Sequence, residues 1–466
     1  MRSFVFILIV AFTSINLYAQ PITGDWYGTL NAKKTKIHLV FHINRTANGY
    51  STTMDSPDQG ASGIKTDTTK VEGNNITIEI KSLSMIYTGS FDSTLSKCTG
   101  LFMQGPSQIP LVLTRTKEET KVVIRPQDPV DFPYYQEEVA FHNLKDSVTL
   151  AGTLTLPKDK KADKIVILIT GSGPQNRNEE LKTFNHRPFL VWSDWLTRHG
   201  IGVLRYDDRG IGNSTGDFSI ATSADFAKDA EAAIDFIKSR SDLKEMQLGL
   251  MGHSEGGMIA PMVASKDSRV KFIVLLAGPG DPINELMLKQ AENSQTAANT
   301  PKEIEDLNMQ TAGMIYSYMK KHADEPNETI EPKLKKILTK QFAKYPADAF
   351  KGTTTDEVAS RELKSYLGVW FRYFISFEPA DYLEKVKCPV LAMNGTLDVQ
   401  VDAKQNLPAI EAALKKGKNT HFEIVPMEGL NHLFQKAKTG NVDEYGEIAE
   451  TVNPAALNKV TDWINK

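Results

Sequence analysis

The sequence predicts an α/β protein with a doubly wound, mostly parallel sheet, preceded by a small all-β domain. Two observations lead to this prediction. In the second part of the chain, short runs that are apolar without a break recur between helix-like segments, which is typical of parallel strands covered by helices on both faces. In the first quarter, apolar and polar residues alternate with a period of two, which indicates antiparallel strands with one covered face.

The composition is that of a globular protein of two or three domains. The chain has 466 residues, of which 41% are hydrophobic and 24% charged, and its net charge is −3 at pH 7. Because there is no basic excess, we expect no nucleic-acid partner. Cys98 and Cys388 are expected to be free thiols. No His or Cys spacing typical of metal ligands occurs, so we predict neither a metal nor another cofactor.

The N-terminus has the pattern of an export signal. Arg2 precedes an apolar run at residues 4–12, and the small residue Ala19 follows before a cleavage point. We predict a signal peptide over residues 1–19 and a periplasmic or secreted protein, with an uncleaved anchor as the alternative. The run is short for a membrane span, and none is expected after cleavage.

Residues 20–116 are predicted to form the all-β domain. Seven or eight alternating runs occur, separated by turn residues such as those at 47–49 and 72–74, which is enough for a small barrel or sandwich. The Gly-Asp-Trp-Tyr-Gly segment at 24–28 resembles the first strand of lipocalin-like barrels. Such a domain either binds a lipid or sugar or serves in packing or dimerisation, and oligomers are possible. Residues 117–136, which contain three prolines, are predicted to be a linker.

Residues 137–466 are predicted to form the α/β domain. An alternating run at 148–156 indicates an antiparallel strand at the sheet edge. Continuously apolar runs follow, and helices are expected between them, one with a capping box of Thr222 and Asp225. The runs lie at residues 165–169, 201–206, 246–251, 272–276 and 390–393. Residues 281–385 interrupt this alternation with largely helical sequence, and we expect a cap that lines the ligand edge of the sheet.

The Gly-His-Ser-Glu-Gly motif at residues 252–256 is the centre of the functional prediction. It follows a predicted strand and precedes a predicted helix, which is the context of a nucleophile elbow. The small residues Gly252 and Gly256 are required by the tightness of this turn. We predict Ser254 as the nucleophile and His253 as a structural residue whose ring points away from the serine.

A serine nucleophile needs a base, and the base needs an acid that orients it. Asp398 follows the predicted strand at 390–393, and His432 follows the last predicted strand at 422–425. Both therefore lie at the strand ends where an acid and a base belong, in the order serine, acid, histidine. Asp402 is the rival acid.

The turn after the first buried strand is the expected source of a second oxyanion donor. Its sequence is Thr-Gly-Ser-Gly-Pro at residues 170–174. We predict that the backbone N–H groups of Ser172 and Glu255 form the oxyanion hole. Arg177, just beyond this turn, either binds substrate or forms a structural ion pair.

These motifs together resemble the α/β-hydrolase superfamily over residues 139–466. More narrowly they are similar to exported bacterial esterases and to the serine aminopeptidase S33-like group. The Asp-Asp-Arg-Gly loop at residues 207–210 belongs to the resemblance and is expected to be structural. The resemblance implies a catalytic triad of Ser254, Asp398 and His432 and leaves the substrate open. It does not extend to the all-β domain.

The leading functional hypothesis is a serine carboxylesterase that hydrolyses short-chain acyl esters through an acyl-enzyme. One alternative is an S33-like serine aminopeptidase, which requires an acidic group for the substrate's ammonium, such as Glu305, Asp306 or Glu357. The other is a non-catalytic binding protein that works through the all-β domain. The expected partner is a small-molecule ester or a peptide.

Overall fold

The computed structural model describes residues 22–32, 35–57, 61–83, 85–104, 107–117, 124–297, 299–346, 349–350 and 354–466. The predicted signal peptide lies outside the described residues. The chain divides into two compact units, residues 1–120 and 121–466. No helix in the described part of the chain is long and apolar enough to cross a membrane.

In its described residues, the first unit is one curled antiparallel sheet of nine strands, where the sequence analysis expected seven or eight. Their order across the sheet is β4-β3-β2-β1-β9-β8-β7-β6-β5. The strands are β1 (Gly24–Ala32), β2 (Thr35–Thr46), β3 (Gly49–Ser56), β4 (Ala61–Lys65), β5 (Thr68–Glu72), β6 (Asn75–Ile80), β7 (Met85–Phe91), β8 (Lys97–Gln104) and β9 (Ser107–Thr114).

Alternation along the strands explains why this sheet curls around a core. In β6, Ile76, Ile78 and Ile80 are buried, whereas the residues between them are partly exposed. The curl brings β5 beside β3, where Thr69 Oγ1 donates to Thr52 Oγ1 at 2.9 Å. The all-β prediction for this part of the chain is confirmed.

The described part of the second unit contains an eight-stranded sheet in the order β10-β11-β13-β12-β14-β15-β16-β17. Strands β10, β11 and β13 pair antiparallel, and all pairs from β13 to β17 are parallel. The strands are β10 (Tyr135–Asn143), β11 (Val148–Leu156), β12 (Lys164–Ile169), β13 (Gly202–Tyr206), β14 (Gln247–His253), β15 (Val270–Leu276), β16 (Val390–Gly395) and β17 (Phe422–Met427).

Helices cover both faces of this sheet, so the predicted doubly wound fold is confirmed. In β12, Ile165 and Ile167 pack towards α2, α3 and α10, and Val166 and Leu168 pack towards α1 and α11. The Thr222–Asp225 capping box is present at the start of α2. These helices are α1 (Pro188–Arg198), α2 (Ser223–Ser239), α3 (Glu255–Ala264), α10 (Ala403–Lys416) and α11 (Pro454–Asn465).

Among the described residues, six helices lie between β15 and β16, in the segment expected to form a cap. The fifth to eighth helices of the chain pack around an apolar core of their own, which includes Ile315, Ile330 and Phe371. Leu286 and Leu383, in the fourth and ninth helices, belong to the core of the main sheet. The helices are α4 (Ile283–Ala297), α5 (Lys302–Lys321), α6 (Asn327–Phe342), α7 (Thr355–Tyr366), α8 (Val369–Ile375) and α9 (Ala380–Leu383).

The chain before β10 already belongs to the second unit. Arg125 is buried and donates to the backbone carbonyls of Phe184, at 2.8 Å, and Tyr445, at 2.9 Å. Gln127 bonds the backbone of Val452. The segment from Arg125 onwards is therefore attached to the α/β unit by buried hydrogen bonds.

A buried ion pair joins α2 to the loop after β13. Arg209 Nε donates to Asp229 Oδ2 at 2.7 Å, and both side chains are less than a tenth exposed. Burial raises the pKa of Asp229, and Arg209 opposes that shift. The cost of burying each charge is offset only while its partner of opposite charge is present.

We expect Asp229→Asn to destabilise the fold by about 3 kcal/mol, because Arg209 loses a buried counter-charge. The exposed pair of Arg269 and Asp235 offers a matched control. Asp235→Asn is expected to change stability by less than about 0.5 kcal/mol. Urea unfolding of both variants measures the change in the free energy of unfolding. Equal changes would show that burial does not determine how much an ion pair contributes to stability.

Candidate active site

The turn from β14 into α3 holds Ser254 in a strained conformation. Its backbone has φ 52° and ψ −117°, a region that non-glycine residues adopt only where the surroundings enforce it. A Cβ atom on Gly252 would lie 1.9 Å from the Gly256 carbonyl oxygen, and one on Gly256 would lie 2.1 Å from the Ile169 carbonyl oxygen. Both motif glycines are therefore required by backbone-to-backbone packing, as a nucleophile elbow demands.

The N-terminal end of α3 places the backbone N–H of the residue after the serine where an anion is favoured. Ser254 is the N-cap of α3 and Glu255 is its first residue. The first N–H groups of a helix have no acceptor within the helix, and the helix dipole is positive at this end. The Glu255 N–H is therefore suited to donate to an oxyanion that develops on a group attacked by Ser254.

Asp398 and His432 lie together beyond the ends of β16 and β17. His432 Nδ1 and Asp398 Oδ2 are 2.7 Å apart, and their side chains are 5% and 0% exposed. Asp398 Oδ1 accepts the backbone N–H groups of Gln400 and Val401. With Nδ1 donating to the carboxylate, His432 Nε2 has a free lone pair and can accept a proton.

Asp402, the rival acid, has another role. It is the N-cap of α10 and accepts the backbone N–H groups of Lys404 and Gln405. The hydrogen bonds of the two aspartates therefore distinguish an acid that orients a histidine from one that begins a helix.

Ser254 and His432 line the same cavity. Within the described residues, no hydrogen bond joins the Ser254 hydroxyl to the His432 ring. Such contacts are often long in unliganded sites and tighten when substrate binds. The structure therefore places the predicted nucleophile and base in the lining of one cavity, without a hydrogen bond between them.

The Glu255 carboxyl group connects the elbow to the cap. It accepts from Ser223 Oγ at 2.6 Å and from Trp370 Nε1, in the cap helix α8, at 3.0 Å. Burial raises the pKa of Glu255, and the hydrogen bonds from these donors oppose the shift. The sequence analysis did not find this connection between the cap and the elbow.

Two further side chains connect the turn after β12 at residues 170–174, called here the oxyanion turn, to the loop after β17 that carries His432, called here the histidine loop. Glu179 Oε1 accepts the Gly171 N–H at 2.7 Å and lies 2.9 Å from His253 Nδ1. His253 Nε2 lies 3.0 Å from the backbone carbonyl oxygen of His432. Both nitrogens of the His253 ring therefore have protein partners. Nothing in the sequence around Glu179 marks it as part of the site.

The loop at residues 207–210 supports the site with structural bonds. Asp207 binds Arg177 through two guanidinium nitrogens, so Arg177 is held in an ion pair. Asp208 accepts from Thr170 Oγ1 at 2.8 Å and from the Gln175 N–H at 3.0 Å. These last two bonds hold Thr170 and Gln175, which lie on either side of Ser172 in the chain.

The cavity beside Ser254 has a volume of about 380 Å³. Its walls come from the turn after β12, the elbow, the histidine loop and cap helices α4 and α8. Most of the side chains around it are apolar: Leu181, Phe184, Pro188, Pro279, Leu286, Met287, Trp370, Phe374, Val401, Leu433, Val442 and Tyr445. Among the described residues, no group of three or more His, Cys, Asp or Glu is placed to hold a metal ion.

Comparison with known proteins agrees with this architecture. The family model "Serine aminopeptidase, S33" matches residues 189–348. The esterase EstD of Thermotoga maritima is 25% identical over 345 residues, which are 72% of this chain and 70% of that protein. The chain belongs to the α/β-hydrolase superfamily. It is therefore a hydrolase, and the prediction of this superfamily is confirmed.

Other relatives of this hydrolase cover smaller shares or are more distant. The putative hydrolase YtaP of Bacillus subtilis is 34% identical over 125 residues, which are 24% of this chain and 41% of that protein. The esterase Pf2001 of Pyrococcus furiosus has a structure with a TM-score of 0.41 and 17% identity, over 72% of this chain and 94% of that chain. The family match includes Ser254 and ends before Asp398 and His432.

We expect Gly252→Ala to lower the hydrolytic activity by about 100-fold, because the added methyl group meets backbone and displaces Ser254. Gly313→Ala, in α5, is the control, since its Cβ would have no neighbour nearer than 3.9 Å. This control should keep full activity and gain up to about 1 kcal/mol in stability. Parallel assays and thermal melts check the pair. Full activity in Gly252→Ala would contradict the packing argument.

Proposed function

We propose that this hydrolase is a serine carboxylesterase that cleaves short-chain acyl esters through a triad of Ser254, His432 and Asp398. The observation that carries the proposal is the buried 2.7 Å contact between Asp398 and His432, on the wall of the cavity that Ser254 also lines. The relative EstD, which is named an esterase, supports the ester as substrate. The apolar run at the N-terminus supports a periplasmic or secreted location.

The proposed mechanism follows from the roles of these three side chains. His432 Nε2 removes the Ser254 proton while the oxygen attacks the ester carbonyl carbon. Asp398 holds the His432 ring and stabilises the imidazolium that forms. The imidazolium then gives its proton to the leaving alcohol. Water attacks the acyl-enzyme by the same route and releases the acid.

The oxyanion hole in this mechanism is formed by the backbone N–H groups of Ser172 and Glu255. Both residues line the cavity that Ser254 also lines. Donors that are in place before the reaction do not have to reorganise as charge develops.

The charges around the cavity favour an ester over a peptide with a free ammonium group. The carboxylates that line it in the described part of the chain are Glu179 and Glu255, and both are bound by other protein groups. The acidic residues considered for the peptidase alternative do not line it. Glu305 and Asp306 pair with Lys302, and Glu357 belongs to the capping box of α7.

We expect Ser254→Ala to lower hydrolysis of p-nitrophenyl acetate and butyrate by about 10⁴-fold or more, because the nucleophile is lost. Ser265→Ala, at the other end of α3, is the matched control and should keep wild-type rates. An aminoacyl anilide should be cleaved at least about 100-fold more slowly than the esters. Full activity in Ser254→Ala would overturn the mechanism. Faster cleavage of the anilide would favour the peptidase, and no turnover of any substrate would favour the binding protein.

We expect Met287→Trp to narrow the acyl pocket, because Met287 lines the cavity from α4. The value of kcat/KM should fall about tenfold more for the butyrate ester than for the acetate ester. Met314→Trp is the control, since Met314 is exposed on the cap. An unchanged ratio of the two esters in Met287→Trp would show that the acyl group binds elsewhere.

A further inference from the structure

The His253 ring has a hydrogen-bond acceptor at each nitrogen. Nε2 lies 3.0 Å from the His432 carbonyl oxygen, and Nδ1 lies 2.9 Å from Glu179 Oε1. A carbonyl oxygen can only accept, so Nε2 must carry a proton. The ring is buried, and both nitrogens already have protein partners.

The contacts of Glu179 Oε1 bear on whether Nδ1 also carries a proton. This oxygen already accepts the Gly171 N–H at 2.7 Å, which places Nδ1 beside an acceptor. A ring that donates from both nitrogens carries a positive charge. Burial lowers the pKa of His253, but the charge and hydrogen bond of Glu179, the His432 carbonyl and the charge of Asp398 together outweigh burial, and the pKa is raised.

A second buried histidine shows what the Glu179 contact adds. His186 Nε2 also lies on a backbone carbonyl, that of Thr451, at 2.9 Å. Its Nδ1 is buried and, within the described residues, has no hydrogen-bond partner. Burial lowers the pKa of His186 to about 3, so this ring is neutral at neutral pH. The two histidines thus differ in that Nδ1 of His253 has a carboxyl partner and Nδ1 of His186 has none among the described residues.

The backbone conformation of Glu179 indicates that the surrounding structure holds this residue in place. Its φ is 51°, in the left-handed region that glutamate rarely adopts. Such outliers persist where the surroundings over-determine them and cluster at functional sites. Glu179 is also buried, so its charge needs the partners that the turn brings to it.

We propose that Glu179 and His253 form a charged positioning pair that holds the oxyanion turn and the catalytic histidine loop at one spacing. The pair links three elements. Glu179 holds Gly171, the residue before the proposed donor Ser172, and His253 holds the carbonyl of His432 from the residue before Ser254. This inference rests on the proposed function, because its consequence is a spacing between oxyanion donors, nucleophile and base. In the proposed mechanism, neither side chain is the nucleophile, the base or an oxyanion donor.

The charge on both partners is what makes the pair strong. Hydrogen bonds between charged groups are about twice as strong as neutral ones. The opposite charges cancel, so the pair adds little net charge beside the His432 ring, whose centroid lies 4.8 Å from that of His253. The titratable groups that face His253 are Glu179, His432, Asp398 and His186.

The first test observes the charge itself in the intact wild-type protein. Histidine side chains labelled with ¹⁵N are followed by NMR at about pH 8, well above the ~6.5 of an unperturbed histidine. His253 should show protons on both nitrogens and His186 on one. His253→Gln and His186→Gln assign the two signals. A neutral His253 at this pH would overturn the proposal, whether or not the protein is an esterase.

The second test uses Glu179→Gln, which keeps the shape and an acceptor oxygen but removes the charge. We expect its His253 to be neutral at about pH 8, and kcat to fall about 10- to 100-fold with KM changed less than about threefold. A boronic acid, which becomes tetrahedral on Ser254, should lose affinity by a similar factor. A simple loss of stability would leave kcat and inhibitor affinity of the folded enzyme unchanged.

Asp229→Asn is the matched control, because it also removes one buried carboxylate from an ion pair. It should lower the melting temperature and keep kcat within about twofold of wild type. Wild-type kcat in Glu179→Gln would overturn the positioning role. If Ser254→Ala retained activity instead, the proposed function would fail, and the NMR result on His253 would still stand by itself.

Discussion

The close approach of backbone atoms at the β14–α3 turn is the constraint on which the rest of the site depends. At Gly252 and Gly256, main chain meets main chain where any side chain would stand, and Ser254 is left with a left-handed φ of 52°. This packing aims the serine away from the sheet and places the first N–H groups of α3 beside it. The oxyanion turn, the histidine loop and the cap are arranged around that point.

Two buried carboxyl groups then hold the surrounding loops to the turn. Glu255 accepts hydrogen bonds from Ser223 and Trp370, and Glu179 contacts the Gly171 N–H and the His253 ring. A buried carboxyl group is costly unless its hydrogen bonds are made, so each group requires several elements to be in place at once. The site gains rigidity from that requirement, because a loop cannot move without leaving a buried polar group unpaired.

Much of the architecture and the central motif could be predicted because both depend on local pattern. Continuous apolar runs marked β12 to β16, and period-two alternation marked the first sheet. The strand–motif–helix context pointed to Ser254, and residues just past the ends of β16 and β17 pointed to Asp398 and His432. Glu179 and Trp370 could not be found this way. Glu179 is 74 residues from His253, and Trp370 is 115 residues from Glu255.

The sequence by itself determined the α/β class, the order of strands and helices, and the serine, acid and histidine candidates, because periodicity and glycine spacing act over a few residues. Only the tertiary structure decided which groups share a proton or a charge. The partners of His253, the capping role of Asp402 and the bond from the cap to Glu255 arise where the ends of strands distant in sequence meet. Hydrogen bonds depend on distances of about 3 Å, and spacing along the chain does not encode such distances between separate elements.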